Sequence, residues 1–147
     1  MTTDPLSVRR LRAWLRALRL VRGTEKQLRE FLRVNFDTTL PRFDVAAALF
    51  RRETPMKMSE LSDLLLVSNG NATTVVDRLE REGRARRVAS ETDRRVVLVE
   101  LTPMGREWFQ EIAAAHEQEV NRIFSNLGEE ELTRFRDLIK IAERTKT

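Results

Sequence analysis

The chain contains no cysteine, which excludes disulfides, thiolate nucleophiles and sensing by thiol oxidation. A single histidine, His116, would leave a zinc site dependent on carboxylates for nearly all its ligands, so neither a metal nor another cofactor is expected. A hydrolase needs a nucleophile, a base and an orienter, yet His116 stands alone among alanines, and no glycine-rich phosphate loop or nucleophile elbow occurs. No catalytic residue is assigned. No apolar run approaches the roughly 20 residues that cross a bilayer. The N-terminus lacks the basic head, apolar run and small-residue cleavage site of a secretory signal, so a cytoplasmic location is expected. Internal repeats and low-complexity linkers are also missing.

What is there is a chain of 147 residues, 41% apolar, enough for one compact domain with a real core. Its 27 Lys and Arg against 23 Asp and Glu give a net charge of +4, so placement matters more than size. Residues 1–22 carry six arginines (9, 10, 12, 16, 19 and 22) against Asp4 alone. Residues 84–95 carry five against Glu91 and Asp93, whereas residues 106–147 hold nine acids and seven bases. Two basic blocks on an otherwise balanced chain point to a polyanionic partner.

Leu6, Val8, Leu11, Trp14, Leu15 and Leu18 recur at helical spacing, with Arg9, Arg12, Arg16 and Arg19 on another face. They predict a long amphipathic helix that continues to about Phe36, with Gly23 as a weak point. Pro41 suits the first turn of a second helix with Phe43, Ala46, Ala47 and Phe50 buried, stopped by Pro55. Ser59 reads as the N-cap of a short helix with Leu61, Leu64 and Leu65 inward, and Val67 to Gly70 as the turn into a helix over about 69–82. That helix buries Ala72, Val75, Val76 and Leu79 and ends before Gly83. The period then becomes strand-like over 84–89 and 95–101, predicting one hairpin. Thr102 as cap and Pro103 at the first position restart a long helix carrying Trp108, Ile112, Ala115 and Val120. A last helix follows Gly128, opening on Glu129 to Glu131 and presenting Leu132, Phe135, Leu138 and Ile139.

Short helix, turn, second helix and arginine-bearing hairpin, over residues 58–101, is the order of a winged helix-turn-helix. The fold expected is therefore mainly α with a small β-hairpin wing (α+β), a winged region over 39–103 within a single domain over 1–147. In the major groove the second helix would present Ser68, Asn69, Asn71, Thr73 and Thr74, all able to exchange hydrogen bonds with base edges, and Arg78 one turn later. Asp93, Arg94 and Arg95 sit at the hairpin tip, where a narrow minor groove attracts arginine and Asp93 can hold one in a bidentate pair. Read singly, Ser68 to Asn71 is a polar helix cap and Asp93 to Arg95 an exposed salt bridge.

The stretch Thr39 to Glu107 carries Val-Asp-Arg-Leu-Glu (76–80), Asp-Arg-Arg (93–95) and Leu-Thr-Pro-x-Gly (101–105), and with them the chain resembles the MarR family. The resemblance implies a triangular homodimer whose dimerisation helices, 1–36 and 104–147, interleave while two winged regions sit astride a palindromic operator in double-stranded DNA. Dimerisation also follows from the residues, because the terminal helices expose more apolar positions than a winged core over 58–101 can cover. One departure is Arg84 followed by Ala85, where the family commonly has Leu-Val or Leu-Ile; it leaves the first strand less apolar.

The resemblance further implies an effector pocket between the dimer helices and the winged region. Trp14, Leu18, Phe43, Ala47, Phe50, Trp108, Ile112 and His116 are its candidate lining, although helically spaced aromatics also read as plain core. The pieces LPRFDV and VSNGN are similar to regulators of aromatic-acid breakdown, including those that sense hydroxycinnamoyl-CoA thioesters. On that reading the protein represses a catabolic operon until an aromatic acid or its CoA thioester releases it. Arg9, Arg12, Arg16, Arg19 and Arg22 would grip the CoA phosphates, or else form a solvated face. A nonspecific nucleic-acid-binding or protein-interaction module of the same fold is the alternative reading.

Overall fold

A computed structural model describes residues 4–65 and 69–144. Among these residues six helices and three strands follow in the order α1 (Leu6–Phe36), α2 (Leu40–Arg52), β1 (Met56–Lys57), α3 (Met58–Leu65), α4 (Asn69–Arg81), β2 (Ala85–Ala89), β3 (Val97–Leu101), α5 (Pro103–Ile123) and α6 (Glu129–Glu143). None of the helices among the described residues is long and apolar enough to cross a membrane.

α1 runs for 31 residues, about 46 Å at 1.5 Å per residue, and passes Gly23 without a break. Only Leu28 and Leu32 are buried on it, both in its second half. α2 opens on Thr39, whose Oγ1 accepts the Arg42 N–H at 3.3 Å, with Pro41 in the first turn where its missing N–H costs nothing. Seven of its thirteen residues are buried, so it is apolar nearly all round, as a central helix must be. Around it gather Met56, Leu61, Val76, Leu79, Ala85, Val99, Leu101, Phe109 and Ile112 in one core.

The sheet has strand order β1-β3-β2, antiparallel throughout, with Ala85 opposite Leu101 and Ala89 opposite Val97 in the hairpin. β1 adds a third strand, Met56 opposite Val99, which periodicity does not disclose because two residues carry no period. Its presence also corrects the start of α3. The strand runs directly into the helix, which begins at Met58, so Ser59 is not the cap; Glu60 Oε1 accepts the Lys57 N–H at 3.1 Å instead. The buried face turns with it: Leu61 and Ser62 are buried, whereas Leu64, expected inward, is 61% exposed.

The Leu-Thr-Pro-x-Gly motif is the joint between hairpin and α5. Thr102 Oγ1 accepts the Gly105 N–H at 3.0 Å and donates to the Gly83 carbonyl at 2.7 Å, while Pro103 starts the helix. Gly83 has φ +76°, the left-handed geometry that favours glycine just beyond a helix. Gly105 is needed for a different reason: a Cβ there would lie 1.9 Å from the Arg84 carbonyl oxygen.

α6 buries none of its residues. Leu132, Phe135, Leu138, Ile139 and Ile141 are exposed on it, as are Leu6, Leu11, Trp14 and Leu15 on the first half of α1.

Candidate nucleic-acid interface

α3 and α4 form the helix-turn-helix, and the β2–β3 hairpin packs against α4. On α4 the motif Val-Asp-Arg-Leu-Glu divides by periodicity. Val76 and Leu79 are fully buried, Asp77 and Glu80 face the hairpin, and Arg78 is 53% exposed. Asn71 and Thr74 are exposed on the first turns and Thr73 is half-buried. Asn69 starts the helix, and Ser68 lies outside the described residues.

The hairpin is bolted to α4 by Arg87. Its guanidinium reaches Asp77 Oδ1 at 2.5 Å and Glu80 Oε1 at 2.8 Å, and its backbone N–H donates to Glu80 Oε2 at 3.1 Å. The hydrogen bond to Asp77, chief among these contacts, raises the Arg87 pKa, so the charge is permanent. The tip is organised by Ser90 and Asp93. Ser90 Oγ accepts the Thr92 and Asp93 N–H groups, each at 3.3 Å, and the Asp93 carbonyl accepts the Val96 N–H at 3.1 Å. Asp93 Oδ1 takes both the Arg95 N–H at 3.0 Å and its Nε at 3.4 Å, so one oxygen does the holding and the pair is not a bidentate fork. The Arg95 side chain stays 92% exposed, and Arg94 beside it is exposed as well.

Of the five arginines in the second basic block, only these two project from the tip. Arg84 pairs with Glu82 at 2.7 Å, Arg86 with Glu100 at 2.7 Å, and Arg87 with α4. Arg87 and Glu82 are framework residues that sequence reasoning did not single out, and it took Arg84 only as leaving the first strand less apolar. The signal for Arg87 is Asp77 and Glu80, two acids at helical spacing on the helix that precedes the hairpin.

The candidate effector residues fall into two groups. Phe43 stacks on His116 with ring centroids 4.2 Å apart and lies 5.4 Å from Phe109, which is 4.9 Å from Phe50. Ala47 and Ile112 are buried in the same cluster, Trp108 packs against it, and burial lowers the His116 pKa by disfavouring the charged imidazolium. Trp14 and Leu18 lie outside that cluster on the first half of α1, with Trp14 58% exposed. Arg9, Arg12, Arg16 and Arg19 line one open groove with Ala13 and Leu15, Arg12 pairing with Asp4, while Arg22 lies further along the helix.

The model of the MarR family matches residues 39–97, the stretch from the N-cap of α2 to the start of β3. The uncharacterized HTH-type transcriptional regulator YkoM of Bacillus subtilis is 33% identical over 89% of this chain and 82% of its own length. The regulator PecS of Dickeya dadantii is 35% identical over 69% of this chain; that match spans 63% of PecS, less than two thirds of its length. Among solved structures, the transcriptional regulator BldR from Sulfolobus solfataricus superposes with a TM-score of 0.84 at 28% identity, covering 96% of this chain and 99% of BldR.

Proposed function

Since this chain belongs to the MarR family of DNA-binding transcriptional regulators, and is not an enzyme, we propose that it acts as a homodimer on a palindromic operator and releases it on binding an aromatic carboxylate or its CoA thioester. The observation that carries the DNA reading is the Arg87 bolt. It joins the exposed Asn71, Thr74 and Arg78 of α4 and the exposed Arg94 and Arg95 of the hairpin into one rigid unit. In that unit α4 reads base edges in the major groove, Arg78 meets a phosphate, and the tip arginines enter the minor groove.

The dimer is supported by two exposed apolar faces, on the first half of α1 and along α6, which a two-fold partner would cover. In that assembly Trp14 and Leu18 of α1 would complete a pocket beside the Phe43–His116 cluster, and the arginine groove would hold the phosphates of a CoA moiety. Release of the operator by such a ligand fits a repressor of a catabolic operon.

Fluorescence-anisotropy titration against DNA from the upstream promoter region and a scrambled duplex, with and without aromatic acids and their CoA thioesters, tests this reading. Expected is a preference for the promoter DNA of at least about 10³, abolished by one ligand class. Equal, salt-dominated binding to both duplexes overturns the operator, and an unchanged titration with every ligand overturns the effector. Arg16→Ala with Arg19→Ala is expected to weaken the CoA thioester and leave operator affinity intact.

A further inference from the structure

Arg84 stands directly before β2 and occupies a junction. Its backbone is fixed on both sides: the N–H donates to the Leu79 carbonyl at 2.8 Å, and the carbonyl accepts the Thr102 N–H at 3.1 Å while pressing on Gly105. Its guanidinium lies over the Trp108 ring of α5, 4.1 Å from the centroid, and donates to Glu82 Oε2 at 2.7 Å. A cation held against an indole face and bonded to a carboxylate is well anchored.

Glu82 carries more than this one partner. Its other oxygen, Oε1, accepts from Arg42 Nη1 of α2 at 3.4 Å and lies 3.5 Å from Arg78 Nε, one helical turn back on α4. Three guanidinium groups therefore share a carboxylate that is only 21% exposed. Arg42 and Arg84 are themselves 17% and 23% exposed, whereas Arg78 is 53% exposed and makes the longest contact. The cluster has surplus positive charge, and Arg78 is the member free to turn outward.

We propose that Arg84 is a positioning residue for DNA binding: seated on Trp108, it occupies one oxygen of Glu82 and so leaves Arg78 available to a DNA phosphate. Without Arg84, the partly buried carboxylate loses its shortest bond, and a desolvated charge without a close partner is costly. Arg78, already within reach at i−4, then closes on Glu82 and withdraws from DNA. The inference rests on Arg78 being a phosphate contact, and the test separates the two.

The test uses the full chain and a mixed-sequence DNA duplex, reading log Kd against log salt by anisotropy. Each phosphate contact contributes about 0.9 to the slope. Arg78→Ala is expected to lower the slope by about 0.9 per subunit. Arg84→Leu, which keeps an apolar side chain against Trp108, should lower it by the same amount, add nothing in the Arg78→Ala background, and be reversed by Glu82→Gln. Weaker binding by Arg84→Leu at an unchanged slope, or a loss that Glu82→Gln does not restore, would mean that Arg84 only braces the fold and overturns the inference. No slope change in Arg78→Ala overturns the phosphate contact and the inference together.

Discussion

Arg87 of β2 and Asp77 of α4 meet at 2.5 Å, ten positions apart in sequence, and the bond ties the orientation of the hairpin to that of α4. Arg87 is 28% exposed and holds both Asp77 and Glu80, which are 47% and 41% exposed, so the arginine is partly shielded while its partners are screened by solvent. Arg87→Ala should lower stability by about 1 to 2 kcal/mol in urea unfolding, and weaken DNA binding by more than that loss implies, since hairpin and helix no longer move as one.

At the tip, Arg94→Ala and Arg95→Ala should each reduce the salt slope of operator binding by about 0.9 per subunit with little effect on the urea midpoint. Asp93→Ala should weaken binding through Arg95, whose backbone and side chain share Asp93 Oδ1. Asn71→Ala is expected to relax base preference at one position per half-site by about 1 to 3 kcal/mol. Binding-site selection on the variant reads this directly. An unaltered preference would move base reading away from Asn71.

Gly105→Ala should be among the most damaging single substitutions in the chain. Its Cβ would lie 1.9 Å from the Arg84 carbonyl oxygen, so backbone must move at the joint of hairpin and α5. A loss of about 3 kcal/mol or more is expected from overpacking at a buried site, read as a lowered midpoint in thermal or urea unfolding. By contrast, no atom apart from its neighbours along the chain lies within 4 Å of a Cβ placed on Gly23, and Gly23→Ala should stabilise by about 0.5 to 1 kcal/mol through helix propensity alone.

Asp44, half-buried on α2, has its pKa pushed up to about 6 by burial first and by Glu25 second, against the pull of Arg51. Unfolded, it ionises near pH 3.9. The folded chain thus binds the proton more tightly, and stability on this account is greatest below about pH 4, falls as pH rises towards 6, and stays reduced above it. Asp44→Asn should therefore stabilise at pH 7.5 by about 1 kcal/mol, allowing for solvent screening at a partly exposed site, and by little near pH 4. His116 acts oppositely, its lowered pKa removing stability as pH falls, so the difference between variant and parent is the quantity to follow.

Much of this fold was legible because its elements announce themselves locally. The 3.6-residue spacing marks α2, α4 and α5, and Thr102, Pro103 and Gly83 mark their boundaries by chemistry that needs no tertiary knowledge. What stayed hidden depends on partners distant in sequence. Arg84, Arg86 and Arg87 look as available to DNA as Arg94 and Arg95 until the hairpin folds back on α4 and Glu100. β1 is likewise defined only by the strand it pairs with. Leu64 misled because helical spacing alone fixes a stripe only when the helix start is known, and the start was displaced by that strand.

Burial along α1 changes at Gly23, and on the proposed dimer this makes the helix a gauge of assembly. Leu28 and Leu32 secure the part beyond the glycine to the core, whereas no residue on the part before it is buried within the protomer. Amide protons at 6–22 therefore depend for protection from exchange on whatever second surface the helix meets. If the proposed dimer forms, their exchange rate, followed against protein concentration, would count paired molecules without any label, and the same seventeen residues would be the first substrate offered to a protease when the pair comes apart.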